Sequence, residues 1–282
     1  MTSVGERRTE LSQFLRSRRA RLTPADVGLT AYGPRRVPGL RREELAQLAG
    51  VSVEYYVRLE QGRNPHVSDG VLEAVGRALR LDVAELGHLR NLARPDRARP
   101  GAAPASDAVR PSLRRLVDAQ PGPAYVCGHL TQVLAWNPLA AAAFGDFGEL
   151  PSEQRTFAHL VFLDPDYRAL FAESWQAKAE ATVAFLRVSV GRYQDDPALA
   201  SLIGTLAMRS EQFGALWARQ DVRDKGPGRY TLSHPLVGPL ALDFEVLHIP
   251  EHGQVLVSYL PAPDSGADEA LGLVASWGLT AR

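Results

Sequence analysis

The stretch Arg41–Gly62, RREELAQLAGVSVEYYVRLEQG, constrains this chain most. Its pattern predicts two short helices joined by a tight turn. Glu43 to Ala49 form the first. Gly50 stands where the backbone must take a positive φ, which a residue without Cβ does at little cost. Ser52 is placed to cap the second helix, Val53 to about Gln61, by accepting a free backbone N–H of its first turn. Leu45, Leu48, Ala49, Val51, Tyr56 and Leu59 are spaced to face one core, and small Ala46 allows a close approach. This is helix-turn-helix geometry, in which the second helix lies in the DNA major groove. The bland alternative is an αα-hairpin that serves only packing. The turn chemistry, the capping Ser and the flanking arginines argue against it.

Burial of Tyr56 and Leu59 leaves Val53, Glu54, Val57, Arg58 and Gln61 on the open face. Arg58 suits a bidentate contact to guanine, Glu54 can accept from a cytosine amino group, and Val53 can touch a thymine methyl. Ser52, Tyr55 and Arg42 are candidates for phosphate contacts, and Arg63 for the backbone beyond the helix. Arg58 is also spaced for an i,i+4 ion pair with Glu54.

The surrounding text completes a small α domain. Leu11, Phe14, Leu15 and Leu22 mark a helix over Glu10–Leu22, with Arg16, Arg18, Arg19 and Arg21 on its other side. Residues 23–40 carry three Pro and three Gly and cannot be regular helix. They end in Arg35, Arg36, Arg41 and Arg42, so this link is a second candidate for a phosphate backbone or, equally, a solvated loop. Helices over Ser68–Arg80 and Val83–Ala93 bring the count to five. Net charge is zero for the whole chain, but residues 1–95 hold 16 Arg against 11 Asp plus Glu, a balance of +5. The remainder is at −5. One half suits a polyanion and the other does not.

Residues 94–111 hold four Pro and no aliphatic periodicity, the mark of a linker. The second domain begins with an amphipathic helix, Ser112–Ala119. Residues 123–136 read as a hairpin, and Asn137-Pro138 opens a short Ala-rich helix. A long helix runs from Asp164-Pro165 through Tyr193, and another from Asp195-Asp196-Pro197 to Trp217. Strands return over 229–260 with a turn at Pro250-Glu251-His252-Gly253, and Ser265 to Asp268 opens a last helix. The expected domains are therefore an all-α helix-turn-helix domain at 1–95, a linker at 96–110 and an α+β domain at 111–282. Strands from both ends of that domain with a helical insert between them are compatible with a sensory sheet of the PAS type.

The segments L-A-x-x-A-G-V-S (Leu45–Ser52) and R-x-E-x-G (Arg58–Gly62) resemble the lambda-repressor-like, or XRE, family of bacterial regulators. The segments VLAWNPLA, LWARQDV, SHPLVGPLALDFEVL and GQVLVSYLPAPDS resemble the ligand-binding domain of MmyB-like transcription regulators. The resemblance covers nearly the whole chain. It implies a transcription regulator with double-stranded operator DNA as partner and a PAS-like sensor domain for a small hydrophobic molecule, fatty acids being the associated class. A carboxylate ligand calls for an Arg beside apolar surface. Arg219 next to Trp217 is the first candidate, with His234 and Trp136 after it, although aromatics at such spacing are more often core.

Other chemistries have little support. There is no G-x-S-x-G elbow and no phosphate-binding glycine loop. Cys127 is the only cysteine and reads as a small core residue. His248 and His252 flank Pro250 around a turn rather than on one helix face, so no metal and no catalytic residue is expected. No apolar run is long enough for a membrane span, and the first residues lack the apolar core of a signal peptide. The expectation is a cytoplasmic homodimer that is not an enzyme and has no cofactor beyond a bound fatty acid or similar apolar molecule. Two alternatives stay open: a constitutive DNA-binding protein whose second domain only dimerises or binds protein, and a DNA-tethered enzyme.

Overall fold

The computed structural model describes residues 4–29, 39–64, 66–94, 107–193, 196–221, 226–249 and 252–280. It divides into two compact units. Residues 30–38, which include Arg35 and Arg36, and most of the linker lie outside the described residues.

The first unit contains α1 (Val4–Arg21), α2 (Arg42–Ala49), α3 (Val53–Glu60), α4 (Asp69–Ala78) and α5 (Val83–Ala93). Helix α1 begins six residues before the expected start at Glu10. Leu11, Phe14 and Leu15 of α1 meet Leu45, Ala46 and Ala49 of α2, Tyr56 and Leu59 of α3, and Leu72, Val75, Leu89 and Leu92 of α4 and α5 in one core. Burying each such aliphatic side chain contributes about 1.5–3 kcal/mol. The unit also takes in residues 187–199 and 218–223, which lie far along the chain. Val188 packs against its core.

The second unit carries a five-stranded antiparallel sheet, order β2-β1-β5-β4-β3. Its elements are α6 (Pro111–Asp118), β1 (Ala124–Cys127), β2 (Val133–Trp136), α7 (Pro138–Phe144), α8 (Phe157–Leu163), α9 (Pro165–Phe171), α10 (Trp175–Arg192), α11 (Pro197–Arg209), α12 (Glu211–Ala218), β3 (Gly228–His234), β4 (Gly238–Ile249), β5 (Gln254–Pro261) and α13 (Ala267–Thr280). The later residues of α10 and the first of α11 count with the first unit. The hairpin, the returning strands and the helical insert between them match the α+β, PAS-like expectation.

Both expected long helices are interrupted. The first breaks between α9 and α10 at Ala172, which takes φ 36°. There the Ser174 hydroxyl accepts the backbone N–H of Thr231 on β3 at 2.8 Å. The second breaks at Ser210, whose hydroxyl caps α12 by accepting Phe213 N–H at 3.2 Å. Neither break carries Pro or Gly. Contacts remote in sequence decide the first, and a single capping hydroxyl decides the second. Helix α8 is a further element that periodicity did not resolve from the helical middle.

Alternation along the strands gives the sheet two different faces. Ala124, Val126, Ala135 and Leu256 pack against Leu113 and Val117 of α6. The opposite face carries Tyr125, Tyr230, Phe244 and Tyr259, whose rings lie within 6 Å of one another along the sheet. Asn137 joins sheet to helix. Its Oδ1 accepts the N–H groups of Ala124 and Ala140, and its Nδ2 donates to Gly122 O.

Candidate DNA-binding surface and sensor core

The α2–α3 turn is built from backbone requirements that the sequence meets. Gly50 takes φ 66° and donates its N–H to the carbonyls of Ala46 and Gln47. Ser52 accepts Tyr55 N–H at 3.1 Å. Gly62 takes φ 64°, and a Cβ there would come within 2.9 Å of Arg8 Cα, so α1 passes directly over the end of α3.

With Tyr56 and Leu59 buried, Ser52, Val53, Glu54 and Arg58 are exposed together. Val53 is 41% exposed, open to contact from this face. Arg58 and Glu54 are paired at 3.0 Å, both largely in solvent. An exposed helical pair of this kind is worth about 0.3–0.5 kcal/mol. A bidentate arginine–guanine contact is worth about 1–3 kcal/mol, so the pair does not compete with base contact. Arg63 is exposed just past the helix, and Tyr55 is half-buried.

Arg42 has a more structural setting than a phosphate contact alone requires. Its Nε and Nη2 donate to Glu60 Oε1 at 2.8 and 2.6 Å. Glu60 is completely buried at the end of α3, and Arg19 reaches its other oxygen at 3.1 Å, with Arg16 at 3.5 Å. Burial pushes the Glu60 carboxyl up, but hydrogen bonds and charge from Arg42 and Arg19 overcome it, and it stays below the ordinary carboxylate value. Glu60 thereby fixes arginines of α1 and α2 beside the recognition helix. Sequence reasoning missed it as a site residue, although it is the E of R-x-E-x-G.

A second buried polar group in the first unit joins α1 to the distant segments. Arg18 pairs with Glu85 at 2.8 Å and donates to Gln220 O at 2.6 Å. Arg187 donates to Gln220 Oε1 at 2.5 Å and lies 3.7 Å from Glu10. His88 stacks edge-on against Phe14. Burial first, then the charges of Arg187 and Arg18, push the His88 imidazole down to about 3, so it stays neutral.

The four expected ligand residues are scattered. Trp136 is half-buried beside Phe147, under the Arg155 guanidinium. Trp217 stacks on Phe213. Arg219 is exposed and belongs to the first unit. His234 is buried, with its ring nitrogens engaged by Ala142 O and Leu236 N–H. None of them lines the small internal cavity of the second unit. That cavity is bounded by Cys127, Thr131, Phe157, Thr182 and Phe185, with Lys178 at its side. Sequence reasoning passed over Lys178. Its signal was a lysine inside the buried stripe of α10, between Trp175 and Thr182.

These two modules define a regulator that binds DNA through one domain and a ligand through the other. The model of the MmyB-like transcription regulator ligand-binding domain matches residues 109–273, more than half of the chain, and a helix-turn-helix domain model matches residues 10–89. The chain belongs to the MmyB-like transcription regulator family. No curated protein matches it. Both matched families are regulator modules, and among the described residues no helix is long and apolar enough to cross a membrane.

Proposed function

We propose that the chain is a homodimeric regulator that reads operator half-sites with α3 and changes its DNA affinity when its second domain binds an apolar acid of the fatty-acid class. The carrying observation is the exposed Ser52–Val53–Glu54–Arg58 face, capped and backed by a fully buried core. Arg58 reads guanine, Glu54 cytosine and Val53 thymine, while Ser52, Tyr55, Arg42 and Arg63 hold phosphates. Two such helices in a dimer reach half-sites about one helical turn (~34 Å) apart. The buried carboxylate of Glu60 supports this reading, because it pre-orients the arginines around α3. Ligand binding acts by shifting the population of a DNA-competent state, which requires different affinity for the two states. Binding without turnover is the activity proposed.

Selection of bound sequences from a random duplex pool, followed by anisotropy titration with and without fatty acids, tests the reading. The expected result is a two-half-site operator whose affinity changes with the acid. A defined operator indifferent to every acid favours the constitutive alternative, in which the second domain serves dimerisation. The small volume of the cavity beside Lys178, about 10 Å³, is the observation on that side.

A further inference from the structure

Lys178 is one of only two lysines in a chain with 30 arginines. It is 1% exposed. Its Nζ lies 4.4 Å from the centroid of Phe157, 5.2 Å from Phe171 and 5.5 Å from Tyr230, and it donates to Tyr125 Oη at 3.4 Å. Rings attract an ammonium through their faces. Even so, withdrawing an ammonium from water is costly, and an apolar side chain of the same length would fill this place more stably.

A second costly feature lines the same cavity. Thr131 takes φ 63°, an outlier for a β-branched residue. Strain of this kind concentrates at ligand clamps. Here it has a visible product. Thr131 O accepts Phe157 N–H at 3.0 Å and Thr131 Oγ1 accepts Ala158 N–H at 3.0 Å, so the strained residue sets the ring that faces Lys178. Tyr125 and Tyr259 share a hydrogen bond at 3.1 Å, and burial keeps both phenols protonated. Neither is an anion, and Tyr125 meets the Lys178 amine as an acceptor. The cavity lining itself offers the Lys178 amine and the hydroxyls of Thr131 and Thr182 beside the rings of Phe157 and Phe185.

We propose that this cavity is the head-group end of the sensor's ligand site, with Lys178 anchoring the carboxylate of an apolar monocarboxylic acid and Phe157 and Phe185 receiving the start of its alkyl chain. This inference rests on the ligand-sensing reading above and names the anchor that reading left open. The cavity is far smaller than a pocket that encloses an alkyl chain, about 300 Å³ or more. Binding must therefore spread the core, and Phe185 on α10 and Phe157 on α8 are the side chains that move.

The test uses the full-length protein, stripped of bound lipid under mild denaturation and refolded. Straight-chain carboxylates from hexanoate to tetradecanoate and the matching primary alcohols are titrated by calorimetry. Wild type is expected to bind its best acid about tenfold or more tightly than the corresponding alcohol, the scale of a charge-assisted hydrogen bond. Lys178→Met, with its fold checked by circular dichroism, is expected to lose that preference. Equal binding of acid and alcohol by wild type, or an acid preference retained in Lys178→Met, overturns the anchor and leaves ligand sensing standing. Binding of neither series overturns the sensing reading and the anchor with it. If Lys178→Met does not fold, the acid-to-alcohol ratio of wild type decides alone.

Discussion

Glu60 in the first unit and Lys178 in the second are both buried ionisable side chains, but their surroundings differ in kind. Glu60 is met by three guanidinium groups from two other helices. Lys178 is met by the faces of aromatic rings and a phenol. The first arrangement satisfies the charge with opposite charge, which fixes three elements in one geometry. The second sets the Lys178 amine among ring faces and a phenol, contacts that hold it less firmly than paired, hydrogen-bonded charges hold Glu60. A reading head must present one shape to DNA. A sensor core must have two packings of similar free energy. The difference predicts a rigid first unit and a second unit whose packing responds to ligand.

The largest effect should come from removing the charge at the centre of the first unit. Glu60→Ala is expected to cost about 3 kcal/mol, the low end for breaking a buried ion pair, because Arg16 and Arg42 can turn to water. Urea denaturation measures it, and a loss below 1 kcal/mol would remove Glu60 as the organising ion. Next is pH. The folded His88 value, about 3, lies below the ordinary 6.5, so the unfolded state binds more protons between them. Stability is full above about pH 6.5 and falls as pH drops, by at most about 1.4 kcal/mol per pH unit. Glu60, also depressed, adds to the loss as pH falls below its ordinary 4.5. In the second unit, burial raises the phenols of Tyr125, Tyr167, Tyr230 and Tyr259, so that unit loses stability as pH rises above 10. Hydrogen exchange resolved by segment should show acid loosening mainly the α1–α5 core and alkali mainly the sheet, whose unit carries four such phenols against Tyr56 in that core. Matching profiles in both units would erase the comparison, and His88→Leu should flatten the acid limb.

Two smaller effects sharpen it on the DNA side. Arg58→Ala is expected to cost about 1–3 kcal/mol at one operator base pair and little in stability. Equal losses across all operator variants would place Arg58 on phosphate instead. Ser52→Ala is expected to cost about 1 kcal/mol of stability through the lost cap of α3. A chemical denaturation midpoint unchanged within error would show that the cap contributes nothing there.

Much of the first unit was legible because its signals are local. A glycine with positive φ, a capping serine and helical periodicity each act within a few residues, so Gly50, Ser52 and the Leu45–Tyr56–Leu59 core could be read one after another. The exposed face of α3 followed from the buried one. The ring of arginines around Glu60 was not legible. Arg16, Arg19 and Arg42 are scattered in sequence, and only packing of α1 and α2 against α3 turns them to one carboxylate. In the second unit the hairpin, the returning strands and the α+β order could be read, while the breaks at Ala172 and Ser210 could not. Trp136, Trp217, Arg219 and His234 were singled out for chemical type and local resemblance. Type does not say which side chains converge.

The sequence by itself determined the two modules, the helix-turn-helix geometry, the split of charge between the halves and the antiparallel sheet around a helical insert. All of these rest on periodicities and turn preferences carried by neighbouring residues. Tertiary structure alone decided that Glu60 binds three arginines, that residues 187–199 and 218–223 belong with the first unit, and that Lys178 stands among the rings of Phe157, Phe171 and Tyr230. Each of these joins residues from separate elements. Burial and electrostatics act across space, where the order of the chain gives no measure of distance.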